Sequence, residues 1–291
     1  MNEAFWIIGW ALLGVLSGRW RLPVAGGWVM TLALVGGAHF ILLEADPIAR
    51  MAGICLVLLA GMKALVYRAW GGTLRWGRYL VFALAWFGMD PGSFQGRRNG
   101  LSWRKDVGLG VLLMVLGACG AWVVWKMGWR QILVMFLPMS LGFHFGALRV
   151  LKGVLRRAGF PVRTLFPNAL KARGLGDFWS HRWNVGYSQM MQRVLGRPVE
   201  KRCGRVWGVL SVFLVSGLLH ELAITLPVGA GYGLPTIYFA VHGLLVVLEV
   251  KCGRFLGKFP SLLLVMAPLG FLFPADFQSE VIARCLMIFE R

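Results

Sequence analysis

Apolar residues run along this chain in long blocks separated by short, mostly basic links. The blocks fall near 4–18, 23–45, 50–68, 77–93, 106–126, 130–150, 206–228, 232–252 and 260–277. A helix needs about 20 mostly apolar residues to cross a bilayer. None of the blocks shows the ten-residue alternation of a barrel strand. The pattern therefore predicts an all-α fold: a polytopic transmembrane protein with about nine membrane helices, the first being the shortest. "MNEAFWIIGWALLGVLSGRW" has no basic stretch before its apolar run, so it reads as a first membrane helix and not a cleaved signal. "VIARCLMIF" at 281–289 is too short to cross alone and reads as an interfacial or partly inserted end.

The largest polar interruption is 151–205. From Arg149 to Arg205 there are thirteen basic residues and two acids, Asp177 and Glu200. Basic loops stay on the cytoplasmic side, which places 151–205 there, within one domain spanning 1–291. Arg97, Arg98, Arg104 and Lys105 then fall on the same side, as do Lys251, Arg254 and Lys258. Arg75 and Arg78 disagree: nine simple spans would put them outside, unless one early segment is re-entrant. Within the loop, "VLKGVLRRAGF" alternates apolar and basic groups at helical spacing, as an interfacial helix does. "DFWSHRWNVGYSQMMQRVLG", 177–196, gathers Phe178, Trp179, Trp183 and Tyr187, and aromatic rings favour the headgroup level.

Composition agrees with the pattern. Of 291 residues, 58% are hydrophobic and 15% charged, against about 25% charged in soluble domains. Mean hydropathy is +0.67. The expected location is an integral, multi-pass membrane site, the inner membrane if the source is bacterial. The net charge of +19 does not indicate nucleic acid, because the basic residues lie in links beside apolar segments. There they meet anionic membrane lipids or an anionic substrate. The five cysteines contain no CxxC pair and read as small apolar residues of buried helix faces, with no metal site or disulfide framework.

"FLVSGLLHELAITLP", 213–227, carries two ionisable residues in an apolar helix. Each costs roughly 2.5–3.5 kcal/mol to insert at the bilayer centre. His220 and Glu221 point about 100° apart. If His220 faces a cavity, Glu221 is expected to reach a basic partner on another helix. Ser216 shares the face of His220, but a helical serine more often bonds its own i−4 carbonyl than serves as a nucleophile. His39, His144 and His242 also lie in apolar segments, and His181 lies in the basic loop. No GxSxG elbow, phosphate-binding loop or HExxH motif is present.

"DFWSHRWN", 177–184, followed about thirty residues later by "FLVSGLLHE", 213–221, resembles the wax-synthase-like branch of the membrane-bound O-acyltransferases. The upstream "LAWFGMDPGSF", 84–94, is similar to another stretch of that branch. Leu219 and Glu221 flank His220 where the polysaccharide-modifying branch usually has Trp and Gly. His181 stands where an arginine is common. The resemblance implies acyl transfer from acyl-CoA, as donor substrate and without a further cofactor, to the hydroxyl of a lipid alcohol. His220 would be the general base, since histidine titrates near neutral pH. Asn184, or the N–H of Trp179, would stabilise the oxyanion. Phe178, Trp179, His181, Arg182, Trp183, Ser216 and Glu221 would contact substrate, with loop cations meeting phosphates. Two other readings stay open: acylation of an extracytoplasmic polysaccharide, and a transporter relaying protons through His220, Glu221 and Glu249. The absence of an internal repeat weighs against the transporter. Oligomeric state is not legible.

Overall fold

The computed structural model describes residues 2–20, 22–129, 131–253 and 256–287. Arg254 and the last residues of the 281–289 piece lie outside them. No strand occurs among the described residues. The helices are α1 Asn2–Ser17, α2 Val24–Ile41, α3 Pro47–Trp70, α4 Trp76–Leu84 and α5 Arg104–Lys126. Next come α6 Ile132–Arg157, α7 at 175–182 and α8 at 185–203. The last four are α9 Arg205–Val228, α10 Leu234–Cys252, α11 Lys258–Leu272 and α12 Ala275–Leu286.

Among the described residues six helices are long and apolar enough to cross a membrane: α2, α3, α5, α6, α9 and α10. The pair α11 and α12, bent by 80°, gives a seventh if it is one span. The nine spans expected from hydropathy are therefore too many. α1 is a shorter apolar helix. The 77–93 block fails for a chemical reason. Helix α4 stops at Leu84, and "GMDPG" then imposes turn chemistry on an apolar stretch. Asp90 accepts from Gly92 N at 3.1 Å and from Ser93 Oγ at 2.8 Å, capping the short turn Pro91–Phe94. Local side-chain bonds of this kind compete with a helix.

That break also removes the charge conflict. With α4 not crossing, the link from α3 to α5 stays at one end of the molecule. Arg75 and Arg78 join Arg97, Arg98, Arg104 and Lys105 there. Arg98 N donates to Gly159 O at 2.8 Å, so this end is also the end of α6 that leads into 158–204.

Helix α3 is the centre of the bundle. Asp46 caps its start by accepting from Ile48 N at 2.9 Å, Pro47 occupies the first turn, and Gly71 ends it at φ 74°. Ile54, Val57, Leu65 and Val66 are fully buried. Helix α6 runs seven residues beyond the expected end at 150, so 151–157 is not a separate interfacial helix. Lys152 is buried there, 2.8 Å from Asp106 of α5, and Arg149 and Arg156 bind the same carboxylate at 3.2 Å. A buried charge is tolerable when paired this way. The outward faces of α2 and α5 present Val29, Leu32, Phe40, Leu112, Val115 and Trp122, as lipid contact requires. Cys55 is half-buried; Cys119, Cys203, Cys252 and Cys285 are exposed, which corrects their assignment to buried faces.

Candidate active site

The 177–196 stretch is not one interfacial helix. It breaks at Trp183–Asn184, where Asn184 adopts a left-handed backbone, φ 41° and ψ 57°. Asparagine tolerates that conformation better than most residues. Asn184 Oδ1 accepts from Tyr187 N at 3.3 Å and so caps α8. Its aromatic neighbours face inward. Phe178 is buried and stacks on Trp183, centroids 5.6 Å apart at 14°. Trp183 also meets Phe166 at 5.0 Å and His144 at 5.2 Å.

Helix α9 presents the second motif. His220 Nδ1 lies 2.6 Å from the carbonyl oxygen of Ser216. A carbonyl only accepts, so Nδ1 carries the proton and Nε2 is left with its lone pair. Ser216 Oγ donates to Val212 O at 2.7 Å, the i−4 bond expected of a helical serine, and accepts from Tyr187 OH at 3.0 Å. The bond from Tyr187 OH to Ser216 Oγ thus ties α8, which Asn184 caps, to α9, which carries His220. Immediately after His220 the helix widens into a π-type turn, Glu221–Thr225. Such single-turn bulges are frequent at functional sites.

Glu221 has no basic partner among the described residues, contrary to expectation. Its Oε1 accepts from Thr236 N at 3.0 Å and from Thr236 Oγ1 at 2.8 Å, and its Oε2 accepts from Thr225 Oγ1 at 2.6 Å. The positive end of the α10 dipole and two hydroxyls do what a cation would have done. Gly217 permits the approach: a Cβ there would lie 2.7 Å from Thr236 Cα.

Helix α10 closes the site. Phe239 packs on the His220 ring at 4.4 Å and on Trp179 at 5.5 Å. Trp179 also touches Phe213 and His242, and its Nε1 is buried without a hydrogen-bond partner among the described residues. A buried unsatisfied donor is costly, and it points to a ligand acceptor. At the other end of α10, Glu249 accepts from Leu175 N at 3.0 Å, Gly176 N at 2.8 Å and Leu256 N at 2.9 Å. It therefore anchors the start of α7, which carries Trp179.

His181 and Arg182 are committed to Asp177, at 3.3 and 3.4 Å. Burial raises the Asp177 carboxyl, but the Arg173 N–H and the Arg182 guanidinium outweigh it and hold the group below the usual carboxylate range. His181 also lines a cavity of about 310 Å³ with Trp86, Arg163, Thr164, Gly186 and Gln189. Tyr187 entered the sequence reading only as an interfacial aromatic, and Thr236 and Phe239 did not enter it. The capping position of Asn184 relative to Tyr187, three residues on, was the available signal for Tyr187.

Residues 162–240, which hold both motifs, match the profile of the Membrane bound O-acyl transferase family. The chain is 26% identical over 224 residues to "Probable long-chain-alcohol O-fatty-acyltransferase 9" of Arabidopsis thaliana, covering 72% of this chain and 63% of that protein. It is 28% identical over 133 residues to "Probable long-chain-alcohol O-fatty-acyltransferase 7" of the same plant, 41% of this chain and 38% of the relative. It is 32% identical over 108 residues to "Long-chain-alcohol O-fatty-acyltransferase" of Simmondsia chinensis, 33% and 31%. The matched segments thus span less than two thirds of each relative. The family profile spans both motifs, and the chain is similar to the membrane-bound O-acyltransferases and, among them, to relatives named long-chain-alcohol O-fatty-acyltransferases.

Proposed function

We propose that the protein transfers a fatty acyl group from acyl-CoA to the hydroxyl of a long-chain alcohol drawn from the bilayer. The observation that carries the reading is the His220 tautomer: Nδ1 is held by the Ser216 carbonyl at 2.6 Å, which leaves Nε2 able to accept a proton. In this reading Nε2 takes the hydroxyl proton as the alcohol oxygen bonds to the thioester carbonyl carbon. The oxyanion takes donors from the Asn184 side-chain amide and the unpartnered Trp179 Nε1. The C–S bond then breaks, and the imidazolium returns the proton to the leaving thiolate. The polar head of the donor enters the 310 Å³ cavity beside His181 and Arg163, at the basic end of the helices, which faces the cytoplasm. The names of the relatives support an alcohol acceptor, and the apolar neighbours Phe239 and Phe213 support a hydrophobic one.

Nothing favours a proton-relay transporter. Both oxygens of Glu221 and of Glu249 are committed to backbone amides or hydroxyls, which is the arrangement of structural anchors. The test is direct. Purified protein is incubated with labelled acyl-CoA and primary alcohols of increasing length, corrected for micelle partitioning. Wax ester should form, with apparent KM falling as the chain lengthens until the apolar site is full. Activity confined to soluble polyhydroxylated acceptors would sink the proposal.

A further inference from the structure

Lys63 lies on α3 and is fully buried, 0% exposed. Its partners are not carboxylates. Nζ donates to Gly88 O at 2.6 Å and to Phe82 O at 2.9 Å, and sits 4.0 Å from the centroid of the Phe82 ring. Both acceptors are backbone carbonyls. Phe82 O is among the last carbonyls of α4, which have no intrahelical donor. Gly88 O belongs to the irregular stretch that follows. Lys63 therefore satisfies the backbone groups exposed where α4 stops.

What that stretch supports is the Asn184 turn. Gly88 lies directly under Gly186: a Cβ on Gly186 would be 3.1 Å from Gly88 Cα and 3.1 Å from Met89 N. Val185 N donates to Leu165 O at 2.9 Å, and the same Cβ would meet Leu165 at 3.1 Å. Asn184 to Gly186 is thus seated on a platform of Gly88, Met89 and Leu165. The platform is held from beneath by the Lys63 bond to Gly88 O. Gly88, Met89, Leu165 and Gly186 all line the same cavity.

We propose that Lys63 is a positioning residue: by fixing residues 86–89 it sets the seat of the Asn184 turn, and so the direction of the Asn184 amide. The kinetic part rests on the function proposed above; the structural coupling does not. Lys63→Met removes the donors while keeping most of the volume, and Gly186→Ala disturbs the same seat from the opposite side. Both are compared with the unaltered protein in detergent by amide hydrogen exchange and by steady-state kinetics. Lys63→Met should speed exchange at 184–188 at least about tenfold while amides of α3 at 54–60 keep their protection. It should lower kcat about 10- to 100-fold, as small misplacements of reacting groups do, with the donor KM within about threefold. Gly186→Ala should reproduce both effects, and ethylamine added to Lys63→Ala should restore part of kcat. Unchanged exchange at 184–188 in folded Lys63→Met overturns the proposal. So does a uniform loss of protection in which kcat falls only with the folded fraction. If Lys63→Met does not fold, Gly186→Ala decides, and normal local exchange in it counts against the idea. If the unaltered protein transfers no acyl group, the proposed function fails while the exchange measurement still decides the coupling.

Discussion

His220 and His242 stand on neighbouring helices and make the same local bond. Each gives its Nδ1 proton to the carbonyl four residues back, Ser216 O at 2.6 Å and Tyr238 O at 2.7 Å. A carbonyl only accepts, so Nε2 of His220 is left as the acceptor, whereas the His242 ring also meets the Leu264 carbonyl. Their surroundings differ. His242 is 1% exposed, walled in by Tyr238 and Trp179. His220 is half-buried, with Phe239 on its ring and the π-type turn directly after it. The Nδ1 bond is common to both; exposure distinguishes the candidate base from a packed ring.

The sharpest way to break the comparison is to remove each ring in turn. His220→Ala should lower turnover about 10²–10⁴-fold, the usual cost of losing a general base, while the protein stays folded. His242→Phe should keep turnover within about threefold and lower thermal stability instead, because it removes one buried hydrogen bond worth about 1 kcal/mol. Steady-state kinetics and melting of both variants in one detergent check this. A comparable loss of turnover in the two would erase the distinction.

Asn184 needs a more careful substitution. Alanine would lose the helix cap and strain a residue at φ 41°, so it mixes folding with chemistry. Asn184→Asp keeps the oxygen that accepts from Tyr187 N and keeps a residue that tolerates the left-handed backbone. It replaces the amide donor with a second carboxylate oxygen, so the donor is lost and a negative charge is added. The expected result is a fall in kcat of at least about 10²-fold, the scale for one oxyanion donor, with little change in donor KM. A change in KM alone would make Asn184 a binding residue.

The effect of pH on the α7 loop should be smaller. The Asp177 carboxyl is held below its ordinary value, burial being outweighed by the Arg173 N–H and Arg182. The folded value is depressed, so the stabilisation is present above the unfolded carboxylate value of about 3.9 and is lost as pH falls through the lower folded value. Proteolytic cleavage at 171–173 should stay slow from neutral pH to about pH 4 and rise below it. Asp177→Asn should show the acid rate at neutral pH.

Much of this was legible in the sequence, for reasons that differ by residue. Long apolar blocks report lipid directly, so the helices of α2, α3, α5, α6, α9 and α10 could be read. The Ser216–Glu221 stretch stood out because His220 and Glu221 are expensive in lipid, and the Trp179–Asn184 stretch only through its family resemblance. Hydropathy misread 77–93, because Asp90 and the glycines beside it act through local bonds that an average over twenty residues hides. It also misplaced the partner of Glu221. A sequence shows where cations are, but not that a helix N-terminus faces the carboxylate. Lys63 was invisible for a related reason, since its partners are backbone carbonyls and a sequence carries no signal for those.

Glu221 offers the finest division between the two halves of the His–Glu pair. Its carboxylate accepts from the Thr236 amide, the Thr236 hydroxyl and the Thr225 hydroxyl. None of those bonds involves the His220 ring, whose Nδ1 is already committed to Ser216 O. Glu221 then acts by fastening α9 to the start of α10, and through α10 it keeps Phe239 against His220. Thr236→Val removes one of the three donors with almost no change of shape. A single hydrogen bond to a charged group is worth about 1.5–3 kcal/mol, so the melting temperature should drop measurably. Turnover per folded molecule should stay within about twofold, because the backbone amide and Thr225 still hold the carboxylate. If turnover instead fell tenfold or more with stability unchanged, Glu221 would be coupled to the proton transfer itself, and the assignment of His220 as the acting half of the pair and Glu221 as its anchor would have to be given up.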